Sequence, residues 1–136
     1  MAQPKPPMHE PCIRVIMRPR DLNHQGVVFG GVVLSYIDEA GFVEAKRQVY
    51  HRYVTASIGR VDFKAPIHCG DVVSFYAQTL KIGTTSITVQ VDVYAEYVEE
   101  NNKRVPVTVA ELTYVALDRN GKPTPVFGPR GPNEDH

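Results

Sequence analysis

One stretch of the chain, Gly31 to about Tyr50, repeats apolar residues at helical spacing: Val32, Val33, Tyr36, Ile37, Ala40, Val43 and Ala45. No other stretch of that length does so, and this limits the fold to one long helix. Its first half is apolar nearly all round, which predicts burial on most sides, and its polar residues gather late, at Glu44, Lys46, Arg47 and Gln48. Four runs rich in Val, Thr, Ile, Tyr and Phe follow: Tyr53–Phe63, Asp71–Ile82, Thr85–Val98 and Val105–Leu117. Alternation is plainest in Ile87, Val89, Val91, Val93 and Ala95, set against Thr88, Gln90, Asp92 and Tyr94. Turn signals separate the runs at Pro66 with Gly70-Asp71, at Gly83, at Glu99 to Asn102 and at Asn120-Gly121. Cys12 to Met17 adds a first strand. A strand, a long helix and four strands with short turns give an α+β architecture, an antiparallel sheet of about five strands with the helix on its concave face. One sheet over one helix leaves strand edges and an unfinished core, which predicts self-association.

Length and charge narrow the function classes. At 136 residues a single domain is expected over 12–119, between an irregular N-terminal arm (1–11) and a Pro/Gly-rich tail (120–136). Fifteen Lys plus Arg balance 15 Asp plus Glu, so the basic footprint of a dedicated nucleic-acid binder is missing. The longest nearly apolar run, Gly26 to Ile37, has 12 residues, too few to span a bilayer as a helix. Prolines and polar residues follow Lys5 where a signal peptide would carry its apolar stretch, so a cytoplasmic protein without membrane insertion is expected. Cys12 and Cys69 form neither a metal-binding pair nor a disulfide framework and read as reduced thiols. The five histidines are scattered without ligand spacing, and the Gly30-Gly31 pair lacks the third glycine of a dinucleotide fingerprint. No metal and no organic cofactor is expected.

The stretch Asn23-His24-Gln25-Gly26-Val27-Val28-Phe29-Gly30-Gly31, running on into Val32-Val33-Leu34-Ser35-Tyr36-Ile37-Asp38, resembles the signature of hotdog-fold acyl-CoA thioesterases. It is most similar to the bacterial acyl-CoA hydrolase group, with its Asn-x-x-Gly-x-x-Phe-Gly-Gly approach to the helix and its helix Asp. The similarity continues in order through Val54-Thr55, Val61-Asp62-Phe63, Pro66-Ile67, Gly70 to Val73, Gly83 to Ile87 and Tyr114 to Asp118. It ends in Gly121-Lys122-Pro123 and Pro125-Val126, and so covers about residues 12–126. The resemblance implies a hotdog fold and hydrolysis of an acyl-CoA to free CoA and a carboxylic acid, with CoA as leaving group rather than held cofactor.

The residues carry this chemistry on their own terms. Gly30 and Gly31 stand where the helix begins and its first N–H groups lack intrahelical partners. Glycine lets a carbonyl approach closely, and the helix dipole favours the negative charge that develops on a thioester oxygen. A Gly-Gly pair by itself equally serves tight packing. Asp38 stands among Tyr36, Ile37, Ala40 and Val43, where an ionised carboxylate is costly without a task or a partner. The matching acid of the family attacks the thioester or activates water, and the sequence leaves both open. The alternative is a carboxylate held in a purely structural bond. Asn23 stands where the family has a residue that orients water or carbonyl; alone, it reads as a turn residue.

His24 supports a rival reading, a hotdog hydratase or dehydratase pairing His24 with Asp38 across 14 residues, although Gly26 to Gly31 lacks the proline of that pattern. A non-catalytic acyl-CoA-binding protein is the other alternative, and it would not need Asp38. For the substrate, Gly30 and Phe29 are candidates beside the helix start, and Thr84, Thr85 and Ser86 offer hydroxyls and N–H groups at a strand start. Arg60 and Lys81 are candidate cations for the CoA phosphates. Gly31 and Asp38 are seven residues apart, about 10 Å along the axis at ~1.5 Å per residue, so one helix cannot offer both to a single carbon. Two helices antiparallel across a two-fold axis can, as in the hotdog dimers of the family, so a dimer with shared sites is expected. Its further assembly, to a tetramer or hexamer, is not legible.

Overall fold

In the computed structural model, which describes residues 7 and 9–127, the chain runs β1 (Ile13–Ile16), α1 (Gly30–Gln48), β2 (Arg52–Ile58), β3 (Val72–Ile82), β4 (Ser86–Tyr97) and β5 (Lys103–Leu117). The strands form one antiparallel sheet in the order β1-β3-β4-β5-β2. β3, β4 and β5 follow each other as neighbours, while β1 and β2 occupy opposite edges. The chain between them must therefore cross the sheet. The 19 residues of α1 span ~28 Å at ~1.5 Å each, more than the ~19 Å covered by four inter-strand gaps of ~4.8 Å. This is the expected single helix on the concave face of a curled five-stranded sheet, the hotdog arrangement.

Burial follows the two periods. On α1 the buried positions are Val33, Ile37, Ala40, Gly41, Glu44 and Ala45, one stripe rather than burial on most sides; Val32, Leu34, Tyr36 and Asp38 are half-buried flanks. On β4 Ile87, Val89, Val91, Val93 and Ala95 are buried without exception and alternate with half-buried neighbours. Phe75 of β3 and Leu112 and Tyr114 of β5 complete the core against the helix. The β4–β5 turn places Asn101 and Asn102 at φ 56° and 59°, the left-handed region that asparagine tolerates.

One element departs from expectation. The strand read as Tyr53–Phe63 ends at Ile58. The pairing of β2 with β5 slips between Thr55 and Ser57, a bulge at Ala56, and after Gly59 the chain leaves the ladder. Residues 59–67 stay pinned to β5 by sparse bonds: Gly59 N–H to Glu111 O at 2.8 Å, Lys64 N–H to Val107 O at 2.8 Å and Thr108 Oγ1 to Asp62 O at 2.8 Å. β-propensity along 53–63 gives no warning of this, because the bulge is a matter of register with a distant strand.

Residues 120–127 of the expected tail form a loop that packs on the domain: Val126 is buried, donates its N–H to Thr84 O and takes a bond from the buried His51. The rest of that segment, 128–136, and most of the expected N-terminal arm lie outside the described residues. Among the described residues no helix is long and apolar enough to cross a membrane.

Candidate active site

Asp38 sits in the middle of α1, half-buried, on the side that looks toward β5 and β2. Two hydroxyls converge on one of its oxygens. Thr55 Oγ1 donates to Oδ1 at 2.8 Å, and Tyr114 Oη lies 3.0 Å from Oδ1 and 2.8 Å from the Asp38 main-chain oxygen. Thr55 and Tyr114 are direct cross-strand partners in the β2–β5 ladder, so the ladder itself sets the spacing of the two donors. No donor meets Oδ2 among the described residues. Burial, then the bond to Asp38 and its charge, push the Tyr114 phenol above the usual tyrosine range, so it remains protonated and a donor.

At the start of α1 the helix has no side-chain cap and no acid in its first turn. Phe29 O takes the Val32 N–H at 3.1 Å and the Val33 N–H at 3.4 Å, while no acceptor meets the N–H groups of Gly30 and Gly31 among the described residues. The two glycines differ. A Cβ on Gly30 would lie 3.3 Å from the Phe63 ring, whereas Gly31 faces open space. Gly30 is a packing position and Gly31 an approach. Beside them a cleft of about 330 Å³ is lined by Val28, Gly30, Val33, Phe63, Lys64 and Ile67 among others. Phe29, half exposed, borders the same helix start. Asp38 does not line this cleft.

Asn23 is a turn residue in this fold. Its Oδ1 accepts the N–H groups of Gln25 at 2.8 Å and Val27 at 3.3 Å, which orients the amide. His24 is exposed on the same loop, and the hydroxyls of Thr55 and Tyr114, not His24, hold Asp38. Thr84, Thr85 and Ser86 spend their carbonyls on Val126, Ala116 and Gly83, leaving their hydroxyls unbonded by any described residue. Lys81 is exposed at the end of β3 near that turn. Arg60 lies past the end of β2 and pairs with Asp62 at 2.8 Å, both largely in solvent. The fold thus gathers Asp38 with Thr55 and Tyr114, and Gly30 with Phe63 and Lys64. It leaves Arg60, Lys81 and the 84–86 turn as separate surface features of a single chain. Among the described residues no cluster of three or more His, Cys, Asp or Glu side chains has metal-binding geometry.

Sequence reading overlooked the hydroxyl partners of Asp38. The available signal was a tyrosine in phase with Ala110, Leu112 and Ala116 on the inward face of β5, where a buried phenol needs an acceptor.

Comparison with known proteins agrees with this fold. A family model described as the thioesterase superfamily matches residues 25–101. The acyl-CoA thioester hydrolase YciA of Salmonella typhimurium is 38% identical over 122 residues, covering 88% of this chain and 92% of that protein. The crystal structure of HI0827, a hexameric broad specificity acyl-coenzyme A thioesterase, superposes with a TM-score of 0.83 at 35% identity, covering 95% of this chain and 87% of that one. Cj0915, a hexameric hotdog fold thioesterase of Campylobacter jejuni, gives a TM-score of 0.81 at 40% identity over 88% of this chain and 91% of its own. With its helix, sheet order and glycine-led helix start all in place, this chain belongs to the hotdog-fold thioesterase superfamily.

Proposed function

We propose that the chain hydrolyses acyl-CoA thioesters, with Asp38 as nucleophile or general base and the Gly31 N–H as the seat of the thioester oxygen. Acyl-CoA thioester hydrolysis is the activity by which relatives matching nearly the whole chain are named. The observation that carries the residue assignment is the half-buried Asp38 carboxylate in the middle of α1, approached at Oδ1 by two hydroxyls with Oδ2 unengaged by any described residue. In the reaction the acyl carbon gains oxygen from water, its bond to sulfur breaks, and CoA leaves as the thiol. Negative charge grows on the carbonyl oxygen at the unpaired helix N–H groups. The protein's own groups supply this chemistry, with no cofactor assigned a step.

The site is assembled from two copies. Gly31 and Asp38 of one helix are about 10 Å apart at ~1.5 Å per residue, while attack requires ~3–3.5 Å. The cleft at the helix start, which lacks Asp38, supports the same division: one copy offers Gly31 and the cleft, its partner offers Asp38.

The test is CoA release across acyl-CoAs from acetyl to palmitoyl. Hydrolysis of at least one member is expected, with Asp38→Asn at least ~100-fold slower, the low end for acid–base catalysis. Asn23→Ala should show a smaller loss. Failure to hydrolyse any member, or an Asp38→Asn protein at the native rate, refutes the assignment. Hydration of an enoyl-CoA in its place would favour the His24–Asp38 dehydratase reading.

A further inference from the structure

Tyr114 is fully buried, and its ring packs edge-on against Phe42 with centroids 6.4 Å apart. It is a fixed post rising from β5 into the helix. Its hydroxyl reaches the helix because residue 41 has no side chain: a Cβ there would run into the Tyr114 hydroxyl and come within 3.0 Å of its ring carbons. Glycine in a helix interior is unfavourable. Its cost here is offset by admitting one hydroxyl to one residue, Asp38.

That hydroxyl would be satisfied by the Asp38 main-chain oxygen alone, at 2.8 Å. It also lies 3.0 Å from Oδ1, the oxygen that already receives Thr55, so its single proton is shared between the main-chain oxygen and the carboxylate. A carboxylate held by one oxygen from two directions loses rotation about its terminal bond and presents the other in a fixed place. We propose that Tyr114, admitted by Gly41, is a positioning residue that aims Asp38 so that Oδ2 is the reacting oxygen. This rests on the assignment of Asp38 as the catalytic acid. The phenol touches neither substrate nor water in this role; it acts through the carboxylate.

The test compares native enzyme, Tyr114→Phe, Asp38→Asn and the double variant, each as full chain, with circular dichroism and assembly state checked first. Tyr114→Phe keeps the ring and removes the hydroxyl. Its kcat for the best acyl-CoA should fall ~10- to 100-fold with KM within about twofold, the signature of a misaimed group rather than a lost binding contact. In the Asp38→Asn background no carboxylate remains to be aimed, so the same change should alter the residual rate by less than about twofold. A Tyr114→Phe enzyme with native kcat overturns the proposal, and so does an equal loss in both backgrounds, which would mark Tyr114 as merely structural. If Asp38→Asn itself runs at the native rate, the catalytic assignment fails and the positioning role with it. If Asp38→Asn is crippled and Tyr114→Phe is not, only the positioning role fails. Should Tyr114→Phe not fold, Thr55→Val at an exposed edge position removes the other donor to Oδ1. The same kcat loss is then expected, and a native kcat overturns the proposal.

Discussion

Asp38 and Glu44, on the same helix, are each held at one oxygen by two donors. Glu44 is buried, and its Oε2 receives both Gln48 Nε2 at 2.9 Å and Thr79 Oγ1 at 2.8 Å. It ties α1 to β3 and lines a cleft with Cys12 and Gln78 that contains neither Gly31 nor Asp38. Glu44→Ala strands the Thr79 hydroxyl and should cost about 1–3 kcal/mol by urea unfolding, with kcat and KM within about twofold of native. Cys12 stands beside it, and burial, then the Glu44 charge, push its thiol up. Cys69 is exposed. Iodoacetamide at mildly alkaline pH should therefore label Cys69 well before Cys12, as peptide mapping would show. Asp118 gives a pH signal: the Lys122 N–H above all, and then that of Asn120, hold its carboxyl below the usual range. Its folded value is depressed, so the stabilisation is present above the ordinary aspartate value of ~3.9 and is lost as pH falls through the folded one. Amide exchange in the 118–122 turn, compared between native and Asp118→Asn proteins, should differ near neutral pH and converge in strong acid.

At the scale of elements, what was legible depended on whether the signal was local. β4 could be read from its alternation because a period of two is written into consecutive residues. The helix could be read within two residues at each end, and Gly30-Gly31 marked its start. The end of β2 could not, since a bulge against β5 is a relation between strands far apart in the chain. The hydroxyls around Asp38 were hidden for the same reason: Thr55 and Tyr114 are 59 positions apart in sequence and become neighbours only in the ladder. The helix start yields its own prediction. Gly31→Ala adds a methyl to open space, so the thermal midpoint should hold, while hydrolysis falls ~10-fold or more as the carbonyl loses its close approach. Unchanged turnover in a folded Gly31→Ala protein would remove Gly31 from the site.

The proposed sharing of the site is tested at the scale of the whole molecule. On that proposal, Gly31 variants and Asp38→Asn each spoil a different half. Refolded together in equal amounts, random pairing makes about half of the dimers mixed, each with one intact site, so about a quarter of the native rate should return. No recovery in proven heterodimers would refute sharing. HI0827 and Cj0915 are hexameric, and sedimentation of this chain would show whether it forms dimers and whether they assemble further.

Because Thr55 and Tyr114 face each other across the β2–β5 ladder and the bulge follows immediately at Ala56, strand phase decides whether both hydroxyls reach Asp38. A residue added or removed within 52–54, inside β2, would turn Thr55 to the outer face, as any odd shift does in a strand. The fold could survive this with the acid no longer held. A length change after Ser57 falls beyond the bulge and leaves the Thr55–Tyr114 pair in step. Chain-length variation should thus be tolerated at 59–60, ahead of the cleft residues Phe63 to Ile67, and silence turnover at 52–54. An insertion scan scored separately for folding and for turnover would map that asymmetry.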